Sequence, residues 1–153
     1  MSGLMSCGFL FTPSGREVLL VQKNRPEWQA GNWNGVGGRA EPGETVDNCM
    51  RREFREETGL TTDWQEFAVE RGQGYSVHFY KSFLDGGSWT GIPPRVPDAN
   101  DSGERLAWIL SDLRSVDPIG NLRWLVPLAR DWREMYVRPV FSFIDDIRER
   151  PTW

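Results

Sequence analysis

The chain is poor in the residues that mark secreted, membrane-spanning and nucleic-acid-binding proteins. It has only two cysteines, Cys7 and Cys49, among 153 residues, so we expect no disulfide framework. The N-terminal residues lack the charged leader and long apolar core of a signal peptide, and no apolar run approaches the length of a membrane span. A net charge of -4 does not provide the basic surface that a nucleic-acid polymer requires. We therefore expect a cytoplasmic protein in a reducing compartment that binds neither membranes nor nucleic-acid polymers.

The remaining composition is that of an ordinary globular protein. Because 39% of the 153 residues are hydrophobic, residues 1–153 are predicted to form a single domain with a substantial core. The sequence contains neither internal repeats nor low-complexity stretches. Its eight tryptophans fit a well-packed core as well as an aromatic interface, so the oligomeric state stays open.

The segment from about Thr45 to Thr58 has the pattern of an amphipathic α-helix. Thr45 offers a capping oxygen at its start, and Gly59 suits a left-handed stop after its end. Between these signals the apolar residues recur with helical spacing, at Val46, Cys49, Met50 and Phe54. We therefore expect one face of this helix to be buried, with the Cys49 thiol on that face.

The same helix carries a cluster of three glutamates. Glu53 precedes Glu56 by three residues and Glu57 by four, so all three lie on one side of the helix. Like charges at this spacing repel each other, whereas a divalent cation with oxygen ligands reverses that effect. Mg²⁺ or Mn²⁺ suits such ligands, as in phosphoryl-transfer sites. The alternative is a solvated face that neighbouring arginines neutralise, namely Arg51, Arg52 and Arg55.

A longer pattern surrounds these carboxylates. It consists of Gly38, five residues, Glu44, seven residues, and then the run from Arg52 to Leu60, which reads REFREETGL. With every fixed position filled, the segment resembles the signature of the Nudix hydrolases. The resemblance implies an α/β fold, the Nudix α/β/α sandwich with a mixed β-sheet. It also implies metal-dependent attack of water on a nucleoside diphosphate linkage.

The signature gives specific roles to the glycines before the helix and to Arg52. The glycines from Gly35 to Gly38 let the backbone approach a ligand closely, or they mark a strand end or bulge. The resemblance makes the carbonyl of Gly37 a metal ligand. Arg52 is expected to hold a neighbouring glutamate in a bidentate pair, with Glu44 as one option, or else is an ordinary surface arginine.

The catalytic base and the metal ligands are assigned among the glutamates. Glu53 is the first choice for the base that accepts a proton from water, with Glu56 and Glu57 mainly as ligands of Mg²⁺ or Mn²⁺. Members of the family differ in the base, so the sequence leaves this choice open. Glu104, just before a predicted strand, is either a further metal carboxylate or a loop-end charge.

Residues outside the signature are candidates for substrate binding. Lys23 and Arg25 follow a predicted strand and can meet phosphates, or they are a solvated strand end. Trp33, Asn34 and Gly35 resemble the stretch that precedes the signature in family members acting on oxidised purine nucleoside triphosphates. Asn34 is then expected to pair with a purine edge, while Trp33 is expected in the core. Asn121 is a second base-reading candidate or the N-cap of a helix.

The rest of the chain alternates between predicted strands and helices. Strands are expected at Leu4 to Thr12, Glu17 to Gln22, Asn34 to Gly38, Phe67 to Glu70, Tyr75 to Phe83 and Arg105 to Leu110. A second helix is expected from about Leu122 to Tyr136, with a possible kink at Pro127. The lone His78 lies in a strand and is interpreted as structural.

A long loop is expected from about Leu84 to Gly103, because glycine, proline and aspartate are dense there. It is either a binding loop or lid, or a disordered excursion. Trp89 either packs this loop onto the domain or stacks on a base.

These patterns predict a metal-dependent pyrophosphohydrolase whose substrate is a nucleoside triphosphate, such as an oxidised purine deoxynucleotide. The main alternative substrate is another nucleoside diphosphate derivative, such as ADP-ribose or a dinucleoside polyphosphate. A module that senses nucleotides without turnover is the alternative from a different class of protein.

Overall fold

The computed structural model describes residues 3–131 and 139–142. Its strands are β1 (Gly3–Phe11), β2 (Glu17–Gln22), β3 (Trp33–Asn34), β4 (Gln65–Gly72), β5 (Tyr75–Phe83), β6 (Arg105–Leu110) and β7 (Val140–Ser142). The helices are α1 (Val46–Thr58) and α2 (Leu122–Asp131), with short 3₁₀ turns at Glu27–Gln29 and Gly86–Ser88.

The described strands form one mixed sheet in the order β3-β2-β1-β5-β4-β7, and β6 pairs with β2 off this path. β1 and β5 run parallel and stay in register from the Gly3–Tyr75 pair to the Phe11–Phe83 pair. β4 and β7 are also parallel, whereas the β1–β2, β2–β6 and β4–β5 pairs are antiparallel. β4 and β5, which follow each other in the sequence, form an antiparallel hairpin.

The two helices cover opposite faces of the sheet. Side chains alternate between the faces along a strand, and in β1 Phe9 and Phe11 pack in the cluster that includes α2, whereas Leu10 packs in the cluster that includes α1. The α2 cluster contains Leu122, Leu125, Val126 and Ala129. Met50 and Phe54 are the buried residues of α1 in the other cluster. The predicted α/β fold, an α/β/α sandwich with a mixed sheet, is confirmed.

Helix α1 begins and ends where its sequence signals lie. The side chain of Thr45 accepts a hydrogen bond from the Asn48 amide at 3.2 Å, and Gly59 adopts the left-handed conformation with φ of 73°. The helix packs closely against β1, because a Cβ atom at Gly8 would lie 2.7 Å from the terminal methyl group of Met50. This contact sets the distance between β1 and the helix that carries the signature glutamates.

Three of the predicted strands differ from the structure. The strand expected from Asn34 to Gly38 is regular only at Trp33–Asn34, and it continues as isolated bridges from Val36 to Gly8 and from Arg39 to Met5. Strand β4 is longer than expected, and β1 is shifted by one residue. Helix α2 is described to Asp131, so the predicted end at Tyr136 lies outside the described residues.

The predicted loop from Leu84 to Gly103 contains only the short turn at Gly86–Ser88 and a bridge between Ala99 and Arg105. The indole nitrogen of Trp108 donates to the Pro94 carbonyl at 3.0 Å and anchors the middle of the loop. Trp89 is partly buried there. In the described part of the chain, no helix is both long and apolar enough to cross a membrane.

Candidate active site

Arg52 organises the carboxylates of the signature. Its Nε and Nη2 atoms lie 2.8 and 2.9 Å from the two carboxylate oxygens of Glu44, which is the predicted bidentate pair. Its Nη1 atom donates to Glu53 at 2.8 Å and to Glu56 at 3.3 Å. The hydrogen bonds from Arg52 lower the pKa of Glu44 to about 2, so Glu44 stays ionised and anchors the guanidinium.

The glycines before α1 make room for Glu53. A Cβ atom at Gly38 would lie 2.5 Å from the carboxyl carbon of Glu53. The carbonyls of Val36 and Gly38 accept from the amides of Gly8 and Ser6 on β1, at 2.7 and 2.9 Å. Because carbonyls alternate in direction along an extended segment, the carbonyl of Gly37 points away from β1. The backbone can therefore offer this oxygen on the side away from the sheet partner.

Glu57 and Glu104 lie far apart in the sequence, but both accept a hydrogen bond from the same side-chain amide nitrogen. Asn100 Nδ2 donates to Glu104 Oε2 at 3.1 Å and to Glu57 Oε2 at 3.4 Å. Glu104 is 4% exposed, and Lys23 Nζ and the Asn24 amide also donate to it, at 3.0 and 3.1 Å. One buried and one partly buried carboxylate thus lie together beside a lysine.

The pKa values of Glu57 and Glu104 are shifted in opposite directions. Burial raises the pKa of Glu57 to about 7, against the opposing hydrogen bond from Asn100. Burial also acts to raise the pKa of Glu104, but the hydrogen bonds from Asn100, Lys23 and the Asn24 amide outweigh burial and hold that pKa below its usual range. Glu57 is therefore the carboxyl group that most lacks a compensating positive charge.

The four candidate carboxylates do not converge as the helical spacing alone predicted. Glu53 and Glu56 turn to Arg52, and the Glu56 side chain is 55% exposed. Within residues 3–131 and 139–142, no three His, Cys, Asp or Glu side chains form a ready-made metal-ligand group. Long side chains that start on one helical face can reach different partners, which explains the difference.

The available donors nevertheless fit a hard divalent cation. All of them are oxygens, and Mg²⁺ typically takes one or two carboxylates while keeping water and substrate phosphate as its other ligands. Glu57 and Glu104 share one donor, and the negative charge of Glu53 acts on Glu57. The residues that can hold such a cation are Glu53, Glu57, Glu104, the more exposed Glu56 and the carbonyl of Gly37.

A second polar group lies around Asn34 and Asn121. The segment 117–119 is hydrogen-bonded to Trp33, through the Trp33 amide to Asp117 and the Ile119 amide to the Trp33 carbonyl, each at 2.9 Å. This pairing brings the start of α2 beside β3. Trp33 itself is 6% exposed and packs in the core, as predicted.

The amide of Asn121 presents an acceptor without a partner. Its Nδ2 atom donates to Glu70 at 3.2 Å, and Tyr75 donates its hydroxyl to the same carboxylate at 3.0 Å. Since the carboxylate of Glu70 is an acceptor, the other end of the amide, Oδ1, points away from it. Oδ1 is buried and lacks a hydrogen-bond partner in the described structure, so the side chain does not cap α2.

Both ends of the Asn34 side-chain amide form hydrogen bonds. Its Oδ1 atom accepts from the Gly35 amide at 2.8 Å and from the Cys7 thiol at 3.6 Å, while Nδ2 donates to Gln29 at 3.4 Å. Burial raises the pKa of Cys7 to about 12, and charges that act on this thiol include Lys23, Glu70 and Glu57. Cys7 is therefore within electrostatic range of residues from both the carboxylate cluster and the Asn121 group.

Other predicted residues have simpler surroundings. Arg25 is exposed, with Nη2 at 3.4 Å from the Ser102 hydroxyl. His78 Nδ1 lies 2.9 Å from Glu66 Oε2, a pairing that agrees with a structural role. Both cysteines are free and buried.

Sequence reasoning missed Asn100 and Glu70. Asn100 lies four residues before Glu104 in a segment that reads NDSGE, where an asparagine at a turn was a usable signal. Glu70 ends the apolar run Phe67–Val69, and a charge at such a position indicates a specific partner.

These features define a class of protein: an α/β/α sandwich whose sheet-flanking helix carries a glycine-flanked cluster of glutamates. Residues 5–125 match the family model described as the NUDIX domain. The chain belongs to the Nudix family.

Individual relatives agree with this assignment. The oxidized purine nucleoside triphosphate hydrolase of Danio rerio is 52% identical over 46 residues, covering 30% of this chain and 29% of that protein. The 8-oxo-dGDP phosphatase NUDT18 of Homo sapiens is 29% identical over 138 residues, covering 86% of this chain and 40% of that protein. The chain therefore spans less than half the length of each of these curated relatives.

Solved structures share the fold. The NUDIX domain of Shewanella oneidensis NrtR, complexed with ADP ribose, aligns with a TM-score of 0.69 and 16% sequence identity. The alignment covers 88% of this chain and 90% of that one. At this identity the likeness shows the fold alone.

Proposed function

We propose that the chain is a divalent-cation-dependent hydrolase that cleaves a nucleoside triphosphate to the monophosphate and pyrophosphate, with an oxidised purine deoxynucleotide as substrate. The observation that carries the proposal is the pair of Glu57, which is partly buried, and Glu104, which is buried, joined by Asn100 beside Lys23. Two carboxylates that share one neutral donor and a single lysine retain negative charge for a cation and the phosphates it brings.

Each residue has a distinct role in this reaction. Bound Mg²⁺ or Mn²⁺ would neutralise phosphate oxygens and lower the pKa of a water molecule. Gly37, Glu56, Glu57 and Glu104 are the proposed ligands of the cation. Lys23 and Arg25 meet the phosphate chain.

The proposed base is Glu53, whose orientation Arg52 fixes through the 2.8 Å hydrogen bond. Water attacks the α-phosphorus, the bond from that phosphorus to the bridging oxygen breaks, and pyrophosphate leaves. The water proton passes to Glu53.

The choice of the substrate's nucleobase rests on Asn121. Its open Oδ1 atom needs an N–H donor, because its Nδ2 is already held by Glu70. The N7 atom of an ordinary purine is an acceptor, whereas oxidation at C8 puts a hydrogen on N7. Asn121 would therefore favour the oxidised base, with Asn34 on the other side of the region. The Danio rerio relative is named for this substrate class.

The proposal treats residues 1–153 as a single domain in a reducing, cytoplasmic compartment. The two free, buried thiols support the compartment, and the match of residues 5–125 supports the single domain because it runs from β1 into α2.

The decisive experiment measures the products from a panel of nucleotides with Mg²⁺. The panel contains ordinary and C8-oxidised purine di- and triphosphates together with ADP-ribose. Pyrophosphate release that is fastest with the oxidised triphosphate supports the proposal. Release of phosphate from the diphosphate, or of sugar phosphate from ADP-ribose, assigns a different substrate. No turnover of any compound supports a nucleotide-binding module without catalysis.

Two variants test the site within that panel. Glu57→Gln should reduce kcat by roughly a hundredfold or more, because a cation ligand is lost. Asp63→Asn is the control, since it removes an exposed acid just beyond α1. Asn121→Ala should lower the preference for the oxidised base by about tenfold, the worth of one good hydrogen bond. An unchanged rate for Glu57→Gln would refute the site, and an unchanged preference for Asn121→Ala would refute the assignment of the base.

A further inference from the structure

The amide of Asn100 is fixed at its acceptor end by the turn that contains it. Oδ1 accepts from the backbone amides of Ser102 and Glu104, both at 3.0 Å. The backbone closes the same turn, because the Asn100 amide donates to the Glu104 carbonyl and the Gly103 amide donates to the Asn100 carbonyl, each at 2.9 Å. An oxygen that faces two N–H groups determines the orientation of the whole amide, so Nδ2 points to the other side.

On that other side, Nδ2 joins two elements that are far apart in sequence. Glu57 belongs to the last turn of α1 and Glu104 precedes β6, and both accept from this single nitrogen at 3.4 and 3.1 Å. The remaining contacts of Glu104 come from Lys23 and the Asn24 amide. Asn100 thus forms the hydrogen bond that connects the turn before Glu104 to the signature helix.

We propose that Asn100 is a positioning residue, which holds the carboxylates of Glu57 and Glu104 at the separation where one divalent cation can use both. This inference rests on the proposed function. A neutral donor is suited to the role for an electrostatic reason. It reduces the repulsion between the two carboxylates, yet it adds no positive charge that would compete with the cation.

Asn100→Ser separates positioning from the structure of the turn. A serine hydroxyl can still accept from the amides of Ser102 and Glu104, but it is too short to reach either carboxylate. The matched control is Asp101→Asn, which changes an exposed residue of the same turn. We expect Asn100→Ser to weaken the binding of Mn²⁺ alone to the cation-free protein by 10- to 100-fold, the usual effect of losing a partner that orients a metal ligand. Calorimetry or the resonance signal of free Mn²⁺ measures this binding.

A double-variant cycle distinguishes positioning from a general loss of structure. If Asn100 acts through Glu57, the loss of Mn²⁺ affinity caused by Asn100→Ser should be smaller when Glu57→Gln is already present. An equal loss in both backgrounds would overturn the inference, because it would mean that the substitution acts on the fold. In turnover assays kcat should fall, while KM for the nucleotide should stay near that of the wild type.

The same variants distinguish a failure of the positioning role from a failure of the proposed function. If Asn100→Ser binds Mn²⁺ and turns over like the wild type while Glu57→Gln is inactive, the positioning role is wrong and the proposed function stands. If Glu57→Gln retains full activity, the proposed function loses its site, whatever Asn100→Ser does.

Discussion

Replacing Glu57 by glutamine should stabilise the cation-free protein increasingly as the pH rises from about 5 to 8. Burial raises the pKa of Glu57 from an ordinary value of 4.5 to about 7 in the folded protein. Between these values the folded state binds more protons than the unfolded state, so the free energy of unfolding falls as the pH rises. At about 1.4 kcal/mol for each pKa unit, the full cost of ionising Glu57 is about 3 kcal/mol above pH 7.

Glutamine cannot ionise, so it does not incur this cost. Urea unfolding in the presence of a chelator, at pH 5, 6, 7 and 8, gives the difference in free energy between Glu57→Gln and the wild type. This difference should be small near pH 5 and approach about 3 kcal/mol at pH 8. Asp63→Asn, which alters an exposed acid, should show no such trend.

A difference that stays constant between pH 5 and 8 would refute the reasoning, because it would mean that Glu57 ionises as easily in the folded state as in the unfolded one. Added Mg²⁺ provides a second check on the same residue. A bound cation favours the ionised carboxylate, so Mg²⁺ should raise the stability of the wild type at pH 8 more than that of Glu57→Gln.

Two further substitutions test the geometry around Glu53. Arg52→Lys should leave the fold intact but lower kcat by 10- to 100-fold. The reason is that an ammonium group cannot hold Glu44 through two hydrogen bonds and Glu53 through a third. Steady-state kinetics and a thermal unfolding curve measure these two effects, and a kcat near that of the wild type would contradict the prediction. Gly38→Ala should displace the Glu53 carboxylate, whose carbon lies 2.5 Å from the position of the new methyl group. It should lower kcat more than Gly86→Ala, an exposed position where the added atom would meet only Pro13, at 3.6 Å. Equal effects of the two glycine substitutions on kcat would show that the contact with Glu53 is unimportant.

Local signals determined how well the sequence predicted each element. Helix α1 was predicted to within one residue, because Thr45 caps its start, Gly59 ends it and the apolar spacing lies between them. Strand β7 was missed, since Val140–Ser142 is short and is stabilised by parallel pairing with β4, which lies far away in sequence. A three-residue segment carries too little periodicity to be recognised alone.

In the candidate site, too, the local contacts were predictable and the contacts between distant segments were not. The pair between Arg52 and Glu44 was predictable, because both residues belong to one short signature around one helix. The joining of Glu57 to Glu104 through Asn100 was not, because it depends on how a long loop returns to the helix. Helical spacing brought the three signature glutamates to one side, but it could not reveal that Arg52 draws Glu56 toward solvent.

The turn from Asp98 to Leu106 gives the loop before β6 a modular construction. Hydrogen bonds within the turn close it, including one from the Leu106 amide to the Asp98 carbonyl at 3.0 Å. The exposed part of the loop around Gly91 and Ile92 lies well before this closure, and Ile92 is 75% exposed. Length and side chains can therefore vary there without moving Asn100 or Glu104. The fold thus keeps the residues proposed to hold the cation independent of a segment whose sequence and length are free to change.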